Sequence, residues 1–148
     1  MKRFVMLLAM LLLLAGCGGG SDAPAEAGDD NVVEIRDQFF VMQVEHIFMN
    51  SNEFLGRTIQ FEGVFVTAAW DEFEYHFVLR YKMDCCGPGG DSVGFMVDLD
   101  GAPQPAANAW VGVSGVLEEY EMQGHTSLRL NVLSIEEMEE RGAEFVMN

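Results

Sequence analysis

Positive charge is scarce in this sequence: 8 lysines and arginines stand against 24 aspartates and glutamates over 148 residues, a formal net charge of −16 with histidine neutral. That balance argues against a nucleic-acid partner, because phosphate binding needs a basic face. Cysteine is scarce too, at 3 residues, which leaves little for a disulfide framework. The chain has no GxSxG elbow, no phosphate-binding glycine loop and no HExxH. Its carboxylates are too numerous and dispersed for any pair to stand out as acid and base, so no catalytic constellation emerges and a non-enzyme is expected.

What is present begins with a leader. Lys2-Arg3 precedes an uncharged apolar stretch over residues 4–14, then comes Leu14-Ala15-Gly16-Cys17, followed by Gly18-Gly19-Gly20-Ser21. This is the order of a charged n-region, an h-region and a small-residue cleavage site. The stretch falls far short of the roughly 20 residues a transmembrane helix needs. LAGC looks like a lipobox, so residues 1–16 are expected to be removed as a lipoprotein signal peptide and Cys17 to carry lipid. Each buried methylene contributes about 0.8 kcal/mol, so several acyl chains together anchor firmly. The expected location is the extracytoplasmic face of a cell membrane, with the membrane itself a partner through Cys17. Residues 17–31 hold glycine, alanine, proline and acid with no large apolar side chain, and read as a flexible tether. Loss of Lys2 and Arg3 leaves six basic against 24 acidic side chains, a net charge of −18. Such a surface accumulates cations weakly.

Residues 32–148 are of a size for one core. A short lead-in strand spans residues 32–36. Phe40, Val44, Ile47 and Phe48 then share one face at helical spacing, with Asp37 where an N-cap is wanted and Asn50-Ser51-Asn52 as a stop. A further turn at Glu53-Phe54-Leu55 closes on Gly56. Strands follow. Residues 58–67 alternate Ile59, Phe61 and Phe65 against polar neighbours. Residues 75–83 place Tyr75, Phe77, Leu79, Tyr81 and Met83 on one side and His76, Val78, Arg80 and Lys82 on the other. Residues 93–99, 110–117 and 127–135 supply three more strands, the last after a turn at Gln123-Gly124, and Glu136-Glu137-Met138-Glu139-Glu140 reads as a charged terminal helix turn. Trp70-Asp71-Glu72-Phe73 and Tyr120-Glu121-Met122 read as hairpin tips. The expected fold is mainly β: a small five-stranded OB-like Greek-key barrel preceded by an N-terminal helix, with an SH3-like barrel or a sandwich as alternatives of the same strand count. Gly63, Gly94, Gly112 and Gly115 lie inside strands, where glycine marks a bulge or tight bend and a barrel needs to curve.

The residues that stand out are Cys85 and Cys86, which follow a strand directly and enter Gly87-Pro88-Gly89-Gly90. Adjacent residues place their Cα atoms about 3.8 Å apart, short of the roughly 4.4 Å that disulfides usually need. Two thiols on an exported chain therefore lack a disulfide partner, since Cys17 is the third cysteine. Three readings stay open: small apolar packing groups, a site for a thiophilic metal such as zinc or copper(I), or thiol exchange, for which the pair lacks CxxC spacing. His76 and His125 are the possible nitrogen ligands. The first lies nine residues before Cys85, roughly 30 Å along an extended strand. His46 falls on the polar side of the helix, and the 10 methionines are scattered. Arg80 is expected to support the cysteine loop by bonding exposed carbonyls or lowering a thiol pKa.

Phe54-Leu55-Gly56-Arg57-Thr58-Ile59-Gln60-Phe61-Glu62-Gly63-Val64-Phe65, then Phe77-Val78-Leu79-Arg80-Tyr81-Lys82-Met83-Asp84-Cys85-Cys86, and Val93-Gly94-Phe95 together resemble the C-terminal domain of the YcgQ-like proteins. The likeness runs from about residue 32 to residue 135. Members of that bacterial family typically carry membrane helices at the front and are often encoded beside a permease, so the resemblance implies a permease-associated or metal-related extracytoplasmic protein. Here a lipid anchor stands where the membrane helices would be. The family's loop usually carries an acid shortly after the cysteine pair, whereas four residues precede Asp91 here. The function expected is a lipid-anchored binding module that holds or hands over a thiophilic metal through the cysteine pair, or acts with a permease. The alternatives are a metal-free interaction subunit of a transporter and a thiol-redox protein.

Overall fold

The alternating residues after Gly56 do form strands, longer than their periodicity suggests. The computed structural model describes residues 31–70, 72–84, 87–122 and 124–147. The leader, Cys17, the tether to residue 30, Cys85, Cys86 and Gln123 lie outside the described residues. In chain order the elements are β1 (Val32–Glu34), α1 (Phe40–Met49), α2 (Ser51–Phe54), β2 (Thr58–Trp70), β3 (Phe73–Asp84), β4 (Gly87–Asp98), β5 (Trp110–Met122), β6 (His125–Glu137) and β7 (Phe145–Val146). Five strands close a ring in the order β2, β5, β6, β4, β3 and back to β2. All contacts in the ring are antiparallel except β4 with β6, which is parallel. This is the expected OB-like barrel, closed so that its five strands leave no long free edge. Among the described residues no helix is long and apolar enough to cross a membrane.

The core fills from both sources the sequence pointed to. Ile59, Phe61 and Phe65 of β2 are buried, as are Phe40, Val44 and Ile47 of α1, with Val41 added to the helix face. Among the described residues the buried apolar side chains run from Ile35 to Val146. The stop after α1 holds, and Gly56 closes α2 with a φ of 79°, a region glycine enters without strain.

Four expectations change. Asp37 does not cap α1: Phe39 occupies the N-cap position with a φ of 65° and no side-chain bond. The Asp37 carboxylate instead accepts a bond from Arg80 in which both partners are charged. On β3 the interior face is the one with Val78 and Arg80, at 0% and 1% exposure, while Phe77, Leu79 and Tyr81 are half-buried. Gly87-Pro88-Gly89-Gly90 belong to β4 rather than to a turn, with Gly87 opposite Asp84 and Pro88 opposite Met83. Finally, Glu136 and Glu137 continue β6 opposite Gly112 and Val111, and the Met138 amide donates to the Trp110 carbonyl at 2.9 Å. Like charges one residue apart point to opposite faces of a strand, so β5 offers this acidic run backbone partners without crowding its carboxylates. The sequence gives no sign of β7, whose two residues pair in parallel with Tyr81 and Lys82.

Candidate functional site

The described parts of the motif, Arg80 and the Val93-Gly94 pair, meet on neighbouring strands. Arg80 of β3 stands opposite Val93 of β4, and Leu79 stands opposite Gly94, so the arginine and the Val-Gly pair face each other across a single hairpin. The described ends of that hairpin, Asp84 and Gly87, are themselves register partners. Cys85 and Cys86 lie outside the described residues, between those ends in sequence.

The base of the hairpin is braced on several sides. Arg80 is buried, with its guanidinium carbon 4.3 Å from the ring centre of Phe40 and 5.0 Å from that of Trp110. Its Nε donates to the Glu62 carbonyl at 2.9 Å and its Nη2 to Asp37 Oδ1 at 2.6 Å. Trp110 Nε1 donates to Glu62 Oε2 at 3.0 Å, which fixes the second ring of the sandwich. Further out, Lys82 Nζ bonds Glu45 Oε1 of α1 at 3.0 Å. β7 lines the same stretch, with the Tyr81 and Phe145 ring centres 5.8 Å apart.

Against the expectation that Arg80 bonds the cysteine loop, its hydrogen bonds go to β2 and the segment before α1 and its ring contacts to α1 and β5, not to β4. Its Nη1 is buried without a hydrogen-bond partner. Asp91 is an exposed residue of β4. His76 is half-buried, bonds Thr67 Oγ1 through Nδ1 at 3.2 Å, and stacks on Phe65 with ring centres 5.5 Å apart. Eight residues of strand, roughly 26 Å, separate it from Asp84. The strand carries no fold-back that would shorten this. His125 opens β6 as an exposed residue at the tip of the β5–β6 hairpin. His46 bonds Asn50 through Nδ1 at 3.0 Å, at the end of α1. Among the described residues no three histidines, cysteines or carboxylates are grouped to hold a metal ion. Sequence reasoning missed Asp37, Glu62 and Trp110 as the shell of Arg80. No local sequence signal marks them, because Asp37, Glu62 and Trp110 lie 43, 18 and 30 residues from Arg80.

Compared with known families, residues 20–147 match the model described as the DUF1980 C-terminal domain. The chain belongs to that family, as its YcgQ-like motif suggested. No curated protein matches it.

Proposed function

We propose that this family member is a non-catalytic binding module, lipid-anchored through Cys17 on the extracytoplasmic face of a membrane, that holds a thiophilic metal ion with Cys85 and Cys86 and offers it to a membrane permease. The observation that carries the reading is the braced hairpin: Arg80, Lys82 and β7 hold β3 as far as Lys82, and Asp84 and Gly87, which flank the two adjacent thiols in sequence, pair with each other. Zinc and copper(I) fit the donor chemistry, as each takes thiolate sulfur readily. When bound, the ion would supply a charge that two thiolates neutralise, and the acidic domain favours a cation over an anion at its surface. His76 is committed to Thr67 and Phe65, so remaining ligands come from water, from the exposed His125 or from a partner.

Titration of the reduced mature chain with zinc or copper(I) against a chromophoric chelator is expected to give one ion per chain. The Cys85→Ser/Cys86→Ser variant is expected to lose at least about a hundredfold in affinity, because hydroxyls are poor ligands for soft ions. Stoichiometric binding that survives the double substitution, or no binding by the unaltered chain, would overturn the metal reading. Maleimide labelling of the folded chain adds a second readout: fast reaction of both thiols that zinc suppresses is expected, whereas slow labelling without metal fits packed cysteines.

A further inference from the structure

Three clefts of the barrel surface run together. The first, about 610 Å³, lies between Phe73, Tyr75, Met96, Tyr120 and Met122. The second, about 560 Å³, shares Met96 and Met122 with it and adds Phe48, Phe77 and Leu128. The third, about 360 Å³, shares Phe48 and Gly94 with the second, and reaches Met49, Lys82 and Ser92 at the base of the cysteine-bearing hairpin. The floor is therefore aromatic and thioether side chains, of which Phe48, Met49 and Phe73 are 45%, 76% and 67% exposed. Large apolar side chains grouped along a groove mark a binding surface, and methionine adapts to varied apolar partners.

The rim is net acidic. Glu74, Asp98, Asp100 and Glu121 line the first cleft, Glu119 the second and Glu45 the third. The two cations lining the clefts are neutralised within the chain: Arg129 by Asp98 and Glu118, each at 2.7 Å, and Lys82 by Glu45 at 3.0 Å. Tyr120 carries the Arg129 guanidinium over its ring at 5.0 Å. Its phenol is raised above its ordinary range, by desolvation and then by its hydrogen bond to Tyr75, against the lowering effect of Arg129. It adds no second negative charge at neutral pH.

From this charge and floor we infer that the groove docks a basic, apolar segment of another protein, with lysine or arginine facing the acidic rim and large aliphatic or aromatic side chains in the methionine-lined floor. Complementary charge steers such a segment and selects against acidic ones. An anionic phospholipid surface and nucleic acid are repelled by the same rim. The inference is independent of metal binding, because none of the groove residues is a proposed ligand, although the groove ends where the cysteine hairpin begins.

The test is fluorescence anisotropy at physiological salt with a dansylated amphipathic peptide of leucine and lysine, and a leucine–glutamate peptide of the same pattern, on the chain without its leader. The lysine peptide is expected to bind at least about a hundredfold more tightly than the glutamate peptide. Glu74→Lys/Glu119→Lys, at exposed rim positions, is expected to weaken it about tenfold, and Phe73→Gln about fivefold. Glu139→Lys/Glu140→Lys changes the net charge equally at exposed sites outside the groove and is expected to cost less than about twofold. Absence of binding by the lysine peptide, equal losses in the two charge-reversal pairs, or an unchanged affinity in Phe73→Gln would each overturn the groove as a docking site. Cys85→Ser/Cys86→Ser is expected to bind the peptide unchanged, which separates this outcome from failure of the metal reading.

Discussion

Replacing Arg80 with glutamine is expected to destabilise the barrel by about 3 kcal/mol, the low end of what removing one member of a buried charged network costs. Arg80 is 1% exposed and fills the space between Phe40 and Trp110, while donating to the Glu62 carbonyl and to Asp37. Glutamine leaves that sandwich partly empty and takes away the cation that both rings face. The loss stays near the low end because the Asp37 side chain is 67% exposed, so its charge returns to water rather than being stranded. Arg80→Met is expected to cost less, by about 1 kcal/mol, since it fills the slot without burying a charge whose Nη1 has no partner. Urea unfolding reads the difference directly: a midpoint lower by about 2 M for glutamine, and by distinctly less for methionine. A shift below about 0.5 M for glutamine would show that the buried guanidinium contributes little beyond its volume.

Arg80 also marks where sequence reasoning stops. Its strand alternates cleanly, and the side with Tyr75, Phe77, Leu79 and Tyr81 is the more apolar of the two. The interior nevertheless takes Val78 and Arg80, because the charge is satisfied by Asp37, 43 residues earlier, and by a carbonyl 18 residues earlier. Neither partner is local, so no window of sequence contains the reason. The same contact explains why Asp37 fails as a cap although its position suits one. β7 escaped for a different cause: two residues are too few to show a period, and their place is set by pairing with β3. By contrast, the barrel class was legible, because strand number, the long connection before Trp110 and glycines within strands all act at short range. Of the candidate site, the hairpin and its Val-Gly partner were visible as a motif, whereas its bracing by Glu45, Glu62 and Trp110 depends on the closed ring.

The strand glycines lead to the second large effect. Gly94→Ala is expected to cost about 3 kcal/mol, the upper end for forcing an extra carbon into a packed region. A Cβ at Gly94 would lie 2.6 Å from Leu79 Cα and 2.9 Å from Leu79 Cβ, and closer still to the Val78 carbonyl oxygen. Two of those atoms are backbone of the paired strand, so no side-chain rotation relieves the contact. The strands must separate, against the neighbouring backbone pair of Arg80 with Val93. Gly90 provides the comparison within β4: a Cβ there meets nothing within 4 Å, so Gly90→Ala is expected to change stability by less than about 1 kcal/mol. Thermal unfolding of the two variants distinguishes close backbone approach from a general dislike of side chains in this hairpin. If the two alanines behave alike, the tight pairing of β3 with β4 is not what Gly94 serves. If Gly94→Ala alone is destabilised, hydrogen exchange at the Arg80 amide is expected to rise with it, since Arg80 pairs with Val93 beside the clash, while the Tyr81 amide, bonded to the Glu144 carbonyl, is expected to change less.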